Sequence, residues 1–229
     1  MKVVNVDPKE VQADVVFSAL PADEAKKAEA EFAKAGFAVA SNASAYRFDP
    51  DVPLMIPECN ADHLGLVEVQ QKKRGWDGYI VTNPNCTTIM FALALKPLMP
   101  MEIQRVIVAS MQAVSGAGYE GVPSMAILGN IIPFISGEEE KVEREAQKIL
   151  GTFDGDRIVD APFDVSASCH RVPVMDGHTE GVSVEMAKKA NPAEVREVFH
   201  FFIRGISPSS VGAERAAHRG RVGVECVLV

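Results

Sequence analysis

No apolar run in this 229-residue chain approaches the ~18 residues that a membrane-spanning helix needs. The N-terminus, Met1-Lys2-Val3-Val4-Asn5-Val6-Asp7, has neither a long apolar stretch nor a small-residue cleavage site, so it does not read as a signal peptide. Cysteine is scarce: Cys59, Cys86, Cys169 and Cys226 are too few and too scattered for a disulfide scaffold. A reducing, cytoplasmic setting is expected. CxxC and HxxxH spacings are absent, which argues against a zinc site. Basic residues are in the minority, 23 Lys and Arg against 31 Asp and Glu, for a net charge of -8. That balance speaks against a nucleic-acid partner. What is present, 47% hydrophobic and 24% charged residues, fits a soluble globular protein of one large domain or two small ones, with a sizeable core.

The first half alternates strands and helices. Val15-Val16-Phe17 reads as a strand running into Ser18-Ala19-Leu20-Pro21, and an Ala-, Glu- and Lys-rich helix from about Ala22 to Ala35 is stopped by Gly36. Short strands follow at Phe37–Ala40, Leu54–Ile56 and Tyr79–Thr82. Such alternation predicts a mostly parallel α/β sheet. The second half differs. A long strand, Arg105–Val114, leads into a glycine-rich loop. Ser136 and Glu139 have the spacing of a capping box, opening a helix that runs to Leu150. Strands are expected at Ser166–Val174 and Thr179–Met186, then a helix capped by Asn191 with Pro192 in its first turn. The boundary between the halves is placed near Asn83–Cys86. From Ile206 lysine disappears, although 12 lysines precede it, and no amphipathic period is visible. The expected organisation is therefore 1–84, 85–205 and an atypical tail, 206–229.

Cys86 follows Asn83-Pro84-Asn85 and precedes the all-apolar stretch Ile89–Leu95, which reads as a buried helix capped by Asn85. A cysteine in that first turn meets unpaired amides and the positive end of the helix dipole, which favour the nucleophilic thiolate. The competing reading is a small buried hydrophobe. Arg171 and His178 flank an Asp176-Gly177 turn and so are expected on adjoining strands. The arginine offers a bidentate grip on a carboxylate, the histidine a proton carrier beside a cysteine; a surface arginine and a hairpin histidine are the plainer alternative. Gly116-Ala117-Gly118-Tyr119-Glu120-Gly121 spells G-x-G-x-x-G after a strand, but Pro123 follows and no helix opens, so it reads as a loop beside an active site. Glu145 and Lys148 stand i,i+3 on a helix, where a surface ion pair is the ordinary outcome. Arg47 is either an anion ligand or a solvated cation.

Together these segments resemble aspartate-semialdehyde dehydrogenase of the archaeal and fungal type. The matching pieces are Phe17–Pro21, Ser41-Asn42-Ala43-Ser44, Asn83–Thr88, Gln112–Gly118, Ile132–Ile135 with Gly137–Lys141, and Arg171 with His178, in order from about Asp14 to Phe202. The resemblance implies an α/β chain: an incomplete Rossmann-type NADP-binding domain, then an α+β catalytic and dimerisation domain of the glyceraldehyde-phosphate-dehydrogenase-like type. It implies reversible reduction of L-aspartyl 4-phosphate to L-aspartate 4-semialdehyde with NADPH, releasing phosphate, in lysine, threonine and methionine biosynthesis. Cys86 is then the nucleophile that takes the acyl group as a thioester, and His178 the general acid/base. Gln112 orients the acyl-enzyme, Arg171 binds the substrate carboxylate and Glu145 its amino group. Arg47 and Lys148 match phosphate-binding positions, and Ser18, Ala19, Ser115 and Gly116 match cofactor contacts. Amides at the Cys86 helix start are expected to stabilise the tetrahedral oxyanion. A homodimer or homotetramer is implied, with no nucleic-acid or membrane partner.

The match has gaps. The strand and glycine-rich turn that hold the pyrophosphate in this family have no counterpart in the sequence, so weak NADP binding is expected of the chain as written. The likeness dissolves near Gly205. Malonyl-CoA reductase, a member of the same family that keeps the Cys and His, is the nearest alternative. Arg171 with Glu145 suits an amino acid carrying both charges better than a CoA thioester. A non-catalytic remnant is the alternative of another class.

Overall fold

The computed structural model describes residues 3–205; the tail expected at 206–229, and Cys226 with it, lie outside the described residues. In chain order the strands and α-helices are β1 (Val15–Ser18), α1 (Ala22–Lys34), β2 (Ala38–Ser41), α2 (Pro57–Asn60), α3 (Leu66–Arg74), β3 (Tyr79–Thr82), α4 (Cys86–Leu95), β4 (Ile103–Gln112), α5 (Ser124–Ile127), α6 (Glu138–Ile149), β5 (Thr152–Phe153), β6 (Ile158–Val159), β7 (Asp164–Arg171), β8 (Thr179–Met186) and α7 (Pro192–Gly205). Contacts divide the chain into two units. The first takes in the described residues up to Ile89 together with Lys141–Pro162; the second takes in Met90–Glu140 and the described residues from Phe163 on. The division thus falls inside α4 rather than before it, and most of α6 returns to the first unit.

The first unit is built on a parallel sheet, β1-β2-β3, as the alternating pattern predicts. Phe32 and Ala33 of α1 pack on Val39 and Ile80 of the sheet, with Tyr46 and Val52 from the loop after β2. Leu54–Ile56 is not a full strand. It meets β3 through a single bridge, Leu54 to Thr82. The helical stretch from Pro57 to Arg74 went unread because polar side chains point inward. Gln70 is fully buried: its Nε2 donates to the carbonyls of Asp51 and Ile80 (both 3.0 Å) and its Oε1 accepts from Ile80 N (2.7 Å). Asn60 Nδ2 donates to Leu54 O, which fixes the amide and leaves His63 Nδ1 as the acceptor at 2.9 Å.

The second unit is built on a mixed sheet of order β7-β4-β8. β7 runs parallel to β4 and β8 antiparallel to it. Arg171 and His178 therefore do not sit on adjoining strands: β4 lies between β7, which Arg171 ends, and β8, which His178 precedes. Successive side chains alternate between faces, and the inner face stacks in rows. Val165, Val106 and Val184 form one row, Ala167, Val108 and Val182 the next, Cys169, Ser110 and Glu180 the third, then Arg171 with Gln112 at the strand ends. The outer face exposes Ile107 and Met111. Asn191 caps α7 as expected, its Oδ1 accepting from Ala193 N and Glu194 N while Glu194 accepts from Asn191 N. The proposed capping box of α6 is not made. The helix starts at Glu138, and Glu139 instead accepts from the backbone N of Cys169 at 3.1 Å.

The loop after β2 is pinned by Lys148 of α6. Its ammonium donates to three carbonyls, those of Arg47 (2.8 Å), Asp49 and Val52 (both 2.9 Å). Burial pulls its pKa from 10.5 to about 8, against the charges of Asp160, Asp49, Asp51 and Glu145. Substituting Lys148→Met leaves three carbonyls without a donor and is expected to cost about 3 kcal/mol in chemical denaturation. The unfolded chain binds more protons than the folded one between pH 8 and 10.5. The wild-type lysine's contribution to stability therefore rises with pH across that window, a slope that the Lys148→Met protein lacks.

Candidate active site

The first unit holds the candidate nucleophile. Asn85 Oδ1 accepts from Thr87 N (2.9 Å) and Thr88 N (3.4 Å), the N-cap that the sequence predicts, and Cys86 opens α4 exposed. These two bonds also correct an expectation. Two of the amides offered to a substrate oxyanion are already occupied by the cap, so what remains at the helix start is chiefly the dipole.

Glu145 lies under the same turn. It is fully buried; one carboxylate oxygen accepts from Asn85 N at 2.7 Å, and the other from Arg47 Nη1 at 3.0 Å. Arg47 Nη2 donates to Asn42 O (3.0 Å), while its Nε is buried with no partner. These bonds alter two site assignments. Glu145 has both oxygens engaged and no exposed surface, and Lys148 has all three protons on backbone carbonyls. Neither is presented to a ligand; both are built into the fold. The error has a clear origin. Within α6 the spacing Glu-x-x-Lys occurs twice, seven residues apart, as Glu138 with Lys141 and as Glu145 with Lys148. Only burial distinguishes the copies.

The second unit gathers the rest around the end of β4. Val114 N donates to Val174 O (2.8 Å) and Ser115 N to Met175 O (3.1 Å), so the chain leaving β7 runs beside the chain leaving β4. Ile132 pairs with Arg171 through both backbone bonds, 2.9 and 3.0 Å. The Arg171 side chain is buried, its Nη1 donating to Ala113 O at 2.8 Å. His178 Nδ1 accepts from Ala113 N at 3.1 Å. Since an amide N–H can only donate, the neutral ring carries its proton on Nε2. Burial first, and then the Arg171 charge, push the His178 pKa below the usual 6.5; Glu138 opposes them.

Gly116 explains why this crowding is possible. A Cβ built there would lie 2.8 Å from Arg171 Nη1 and 2.9 Å from His178 Cε1. The glycine of the false nucleotide fingerprint is thus the gap into which two site residues fit. Gln112 is buried at the end of β4, its Nε2 donating to Ser110 Oγ (3.3 Å) and Glu138 Oε2 (3.4 Å). Glu138, half-buried at the start of α6, is the residue that sequence reasoning missed. The repeated Glu-x-x-Lys spacing was the available signal.

For the cofactor positions, Ser18 ends β1, and its Oγ is buried with no partner. Open parallel sheets bind ligands beyond the carboxyl ends of their strands, which is where Ser18 and Ala19 stand. Among the described residues no group of three His, Cys, Asp or Glu is arranged to hold a metal, and no helix is long and apolar enough to cross a membrane.

Comparison with known proteins shows the family. Residues 1–67 match the family model described as semialdehyde dehydrogenase, NAD binding domain, and residues 95–209 that described as semialdehyde dehydrogenase, dimerisation domain. The aspartate-semialdehyde dehydrogenase of Archaeoglobus fulgidus is 62% identical over 199 residues, which are 87% of this chain and 58% of that protein. The Methanothermobacter thermautotrophicus enzyme is 56% identical over 221 residues, 96% of this chain and 63% of that one. Among solved structures, Candida albicans aspartate-semialdehyde dehydrogenase with NADP aligns with a TM-score of 0.75 at 39% identity, covering 86% of this chain and 59% of that one. Aspartate-semialdehyde dehydrogenase II of Vibrio cholerae complexed with ASA aligns with a TM-score of 0.69 at 29% identity, covering 82% and 60%. The chain spans about three fifths of the length of these relatives. On these matches and this geometry, the chain belongs to the aspartate-semialdehyde dehydrogenase family of the archaeal and fungal type.

Proposed function

We propose that this chain carries the site of an NADP-dependent aspartate-semialdehyde dehydrogenase, which reversibly converts L-aspartyl 4-phosphate to L-aspartate 4-semialdehyde and phosphate through a thioester on Cys86. The observation that supports it most is the convergence of Arg171, His178 and Gln112 on the end of β4, made possible by Gly116. Such a set suits a small substrate with a carboxylate and a reacting carbonyl. Arg171 grips the carboxylate. Glu138, in place of Glu145, takes the amino group, since its carboxylate is half-buried beside Gln112. Arg47, with an unpartnered buried Nε, and Lys141, one turn on from Glu138, are the phosphate ligands in place of Lys148.

In the acylation step Cys86 Sγ adds to the acyl carbon and the bond to phosphate breaks, phosphate leaving with its electron pair. The attacking species in this step is the thiolate. His178 holds its proton at Nε2 and is set to donate to the acyl oxygen as charge develops there. To accept a proton at Nε2 the ring must move its own to Nδ1 and give up the bond from Ala113. Ser18, Ala19, Ser115 and Gly116, the positions that match cofactor contacts, would hold NADP, which when bound supplies the hydride chemistry. The second unit matches a dimerisation domain, and the outer face of its sheet is where we place a second copy.

Two measurements test this reading. Intact-mass analysis after mixing with aspartyl phosphate is expected to give one acyl adduct, with release of one phosphate, lost in Cys86→Ser. An adduct from malonyl-CoA instead would support the CoA-thioester alternative. An inert Cys86 with both reagents would favour a non-catalytic remnant. Separately, NMR titration of the His178 ring is expected to show a pKa below 6.5, so the ring is neutral above that pH. Arg171→Met raises it by removing a neighbouring positive charge, and Glu138→Gln lowers it by removing a negative one.

A further inference from the structure

One buried carboxyl in the second unit has no part in the chemistry above. Glu180 lies on β8 directly opposite Ser110 of β4, and Ser110 is flanked on its other side by Cys169 of β7. This polar row sits between the valine rows of the inner face and the row of Gln112 and Arg171. His178 immediately precedes β8, two residues before Glu180 in the chain. Glu180 Oε1 is buried with no hydrogen-bond partner.

We infer that Glu180 is a positioning residue for Gln112 and His178, acting through Ser110 as an uncharged polar side chain rather than as a carboxylate. This inference rests on the proposed dehydrogenase reading only for its kinetic consequence. The physical case concerns charge. Two carboxylates already face this row from α6: Glu139 accepts from Cys169 N, and Glu138 lies against Gln112. Glu138, Glu139 and Glu180 all raise the Cys169 thiol pKa, secondary to its burial, which places the three carboxyls around that side chain. The nearby cation, Arg171, lies in the next row with Nη1 on Ala113 O, and His178 holds Ala113 N. A third negative charge at Glu180 would have neither a cation nor a donor on Oε1. Burial moves its pKa to about 8, so that at pH 7 it keeps its proton. As the neutral acid it faces Ser110 and Cys169 without repelling Glu138 and Glu139. Ser110 Oγ is then free to accept from Gln112, and Gln112 holds its place beside Glu138.

The test uses the whole protein. Infrared difference spectra between wild type and Glu180→Gln at pH 7 are expected to show the carbonyl band of a protonated carboxyl. The His178 ring signals are expected to show an inflection near pH 8 that Glu180→Gln lacks. Carboxylate bands at pH 7, or no such inflection in wild type, would overturn the inference. Neither readout requires turnover, so a protein that fails to acylate Cys86 refutes the dehydrogenase reading and not this one. Where acylation occurs, Glu180→Ala is expected to slow it at least about tenfold, with Glu180→Gln restoring most of the rate. Equal slowing by both, in variants with wild-type circular dichroism, would mean that the charge itself is used and would overturn the inference.

Discussion

The buried carboxylate of Glu145 is the constraint on which the turn carrying Cys86 depends. It has no solvent contact, and it spends one oxygen on the Asn85 amide and the other on Arg47. An unpaired carboxylate at that depth would protonate or unfold its surroundings. Arg47 therefore has to stay, and the loop that carries it has to stay with it. Lys148, three residues on in α6, ties that same loop through the carbonyls of Arg47, Asp49 and Val52. Arg74 adds a third tie from α3. Its guanidinium bonds the carboxylates of Asp49 (2.7 Å) and Asp51 (2.6 Å to Oδ1) and lies over the rings of Tyr46 and Trp76. Three buried or half-buried cations thus fix the loop, the loop fixes Arg47, and Arg47 with Glu145 fixes the amide that precedes Cys86.

What was legible in the sequence follows from range. Several short-range signals were read correctly, namely Asn85 capping α4, Asn191 capping α7 and the alternation of β8, whereas the Ser136–Glu139 box was not, because Glu139 is engaged by the distant Cys169 amide. Signals that need a distant partner were not. Nothing local says that β4 intervenes between β7 and β8, because a turn at Asp176-Gly177 is compatible with a hairpin and with a crossover alike. Nothing local separates Glu138 from Glu145, since both precede a lysine by three positions on one helix; the difference lies in what the rest of the first unit packs against the later pair. The helices at Pro57–Arg74 were missed for a related reason. Gln70 and His63 are buried because specific backbone groups receive them, and a polar residue with a partner looks like a surface residue in a sequence.

The G-x-G-x-x-G at Gly116 shows how a motif can be literal and still mean something else. A dinucleotide fingerprint uses its glycines to bring backbone to a pyrophosphate at a helix N-terminus. Here Gly116 brings backbone to Arg171 and His178 instead, after a strand of a mixed sheet and with no long helix following. Both uses draw on one property, a missing Cβ where something must approach closely. The motif alone therefore reports crowding, and only the neighbouring elements say by what.

The inner face of the β7-β4-β8 sheet carries this logic from packing to chemistry. Two rows of aliphatic side chains anchor it, and burial of that kind contributes about 25 cal/mol per Å². A site residue placed directly on such rows would be in register but electrostatically bare. In the intervening row of Cys169, Ser110 and Glu180, the Ser110 hydroxyl oxygen accepts from Gln112 Nε2, and the row carries no net charge while Glu180 keeps its proton. Charge is then concentrated at the sheet's end, where Arg171 and Glu138 act on His178 with opposite sign. Burial and Arg171 outweigh Glu138, so the imidazole is held neutral, and the Ala113 amide at Nδ1 decides which nitrogen bears the proton. A neutral ring with a donor at Nε2 is what a developing oxyanion requires, and in this fold it is secured by a backbone amide and by the sign of the neighbouring charges.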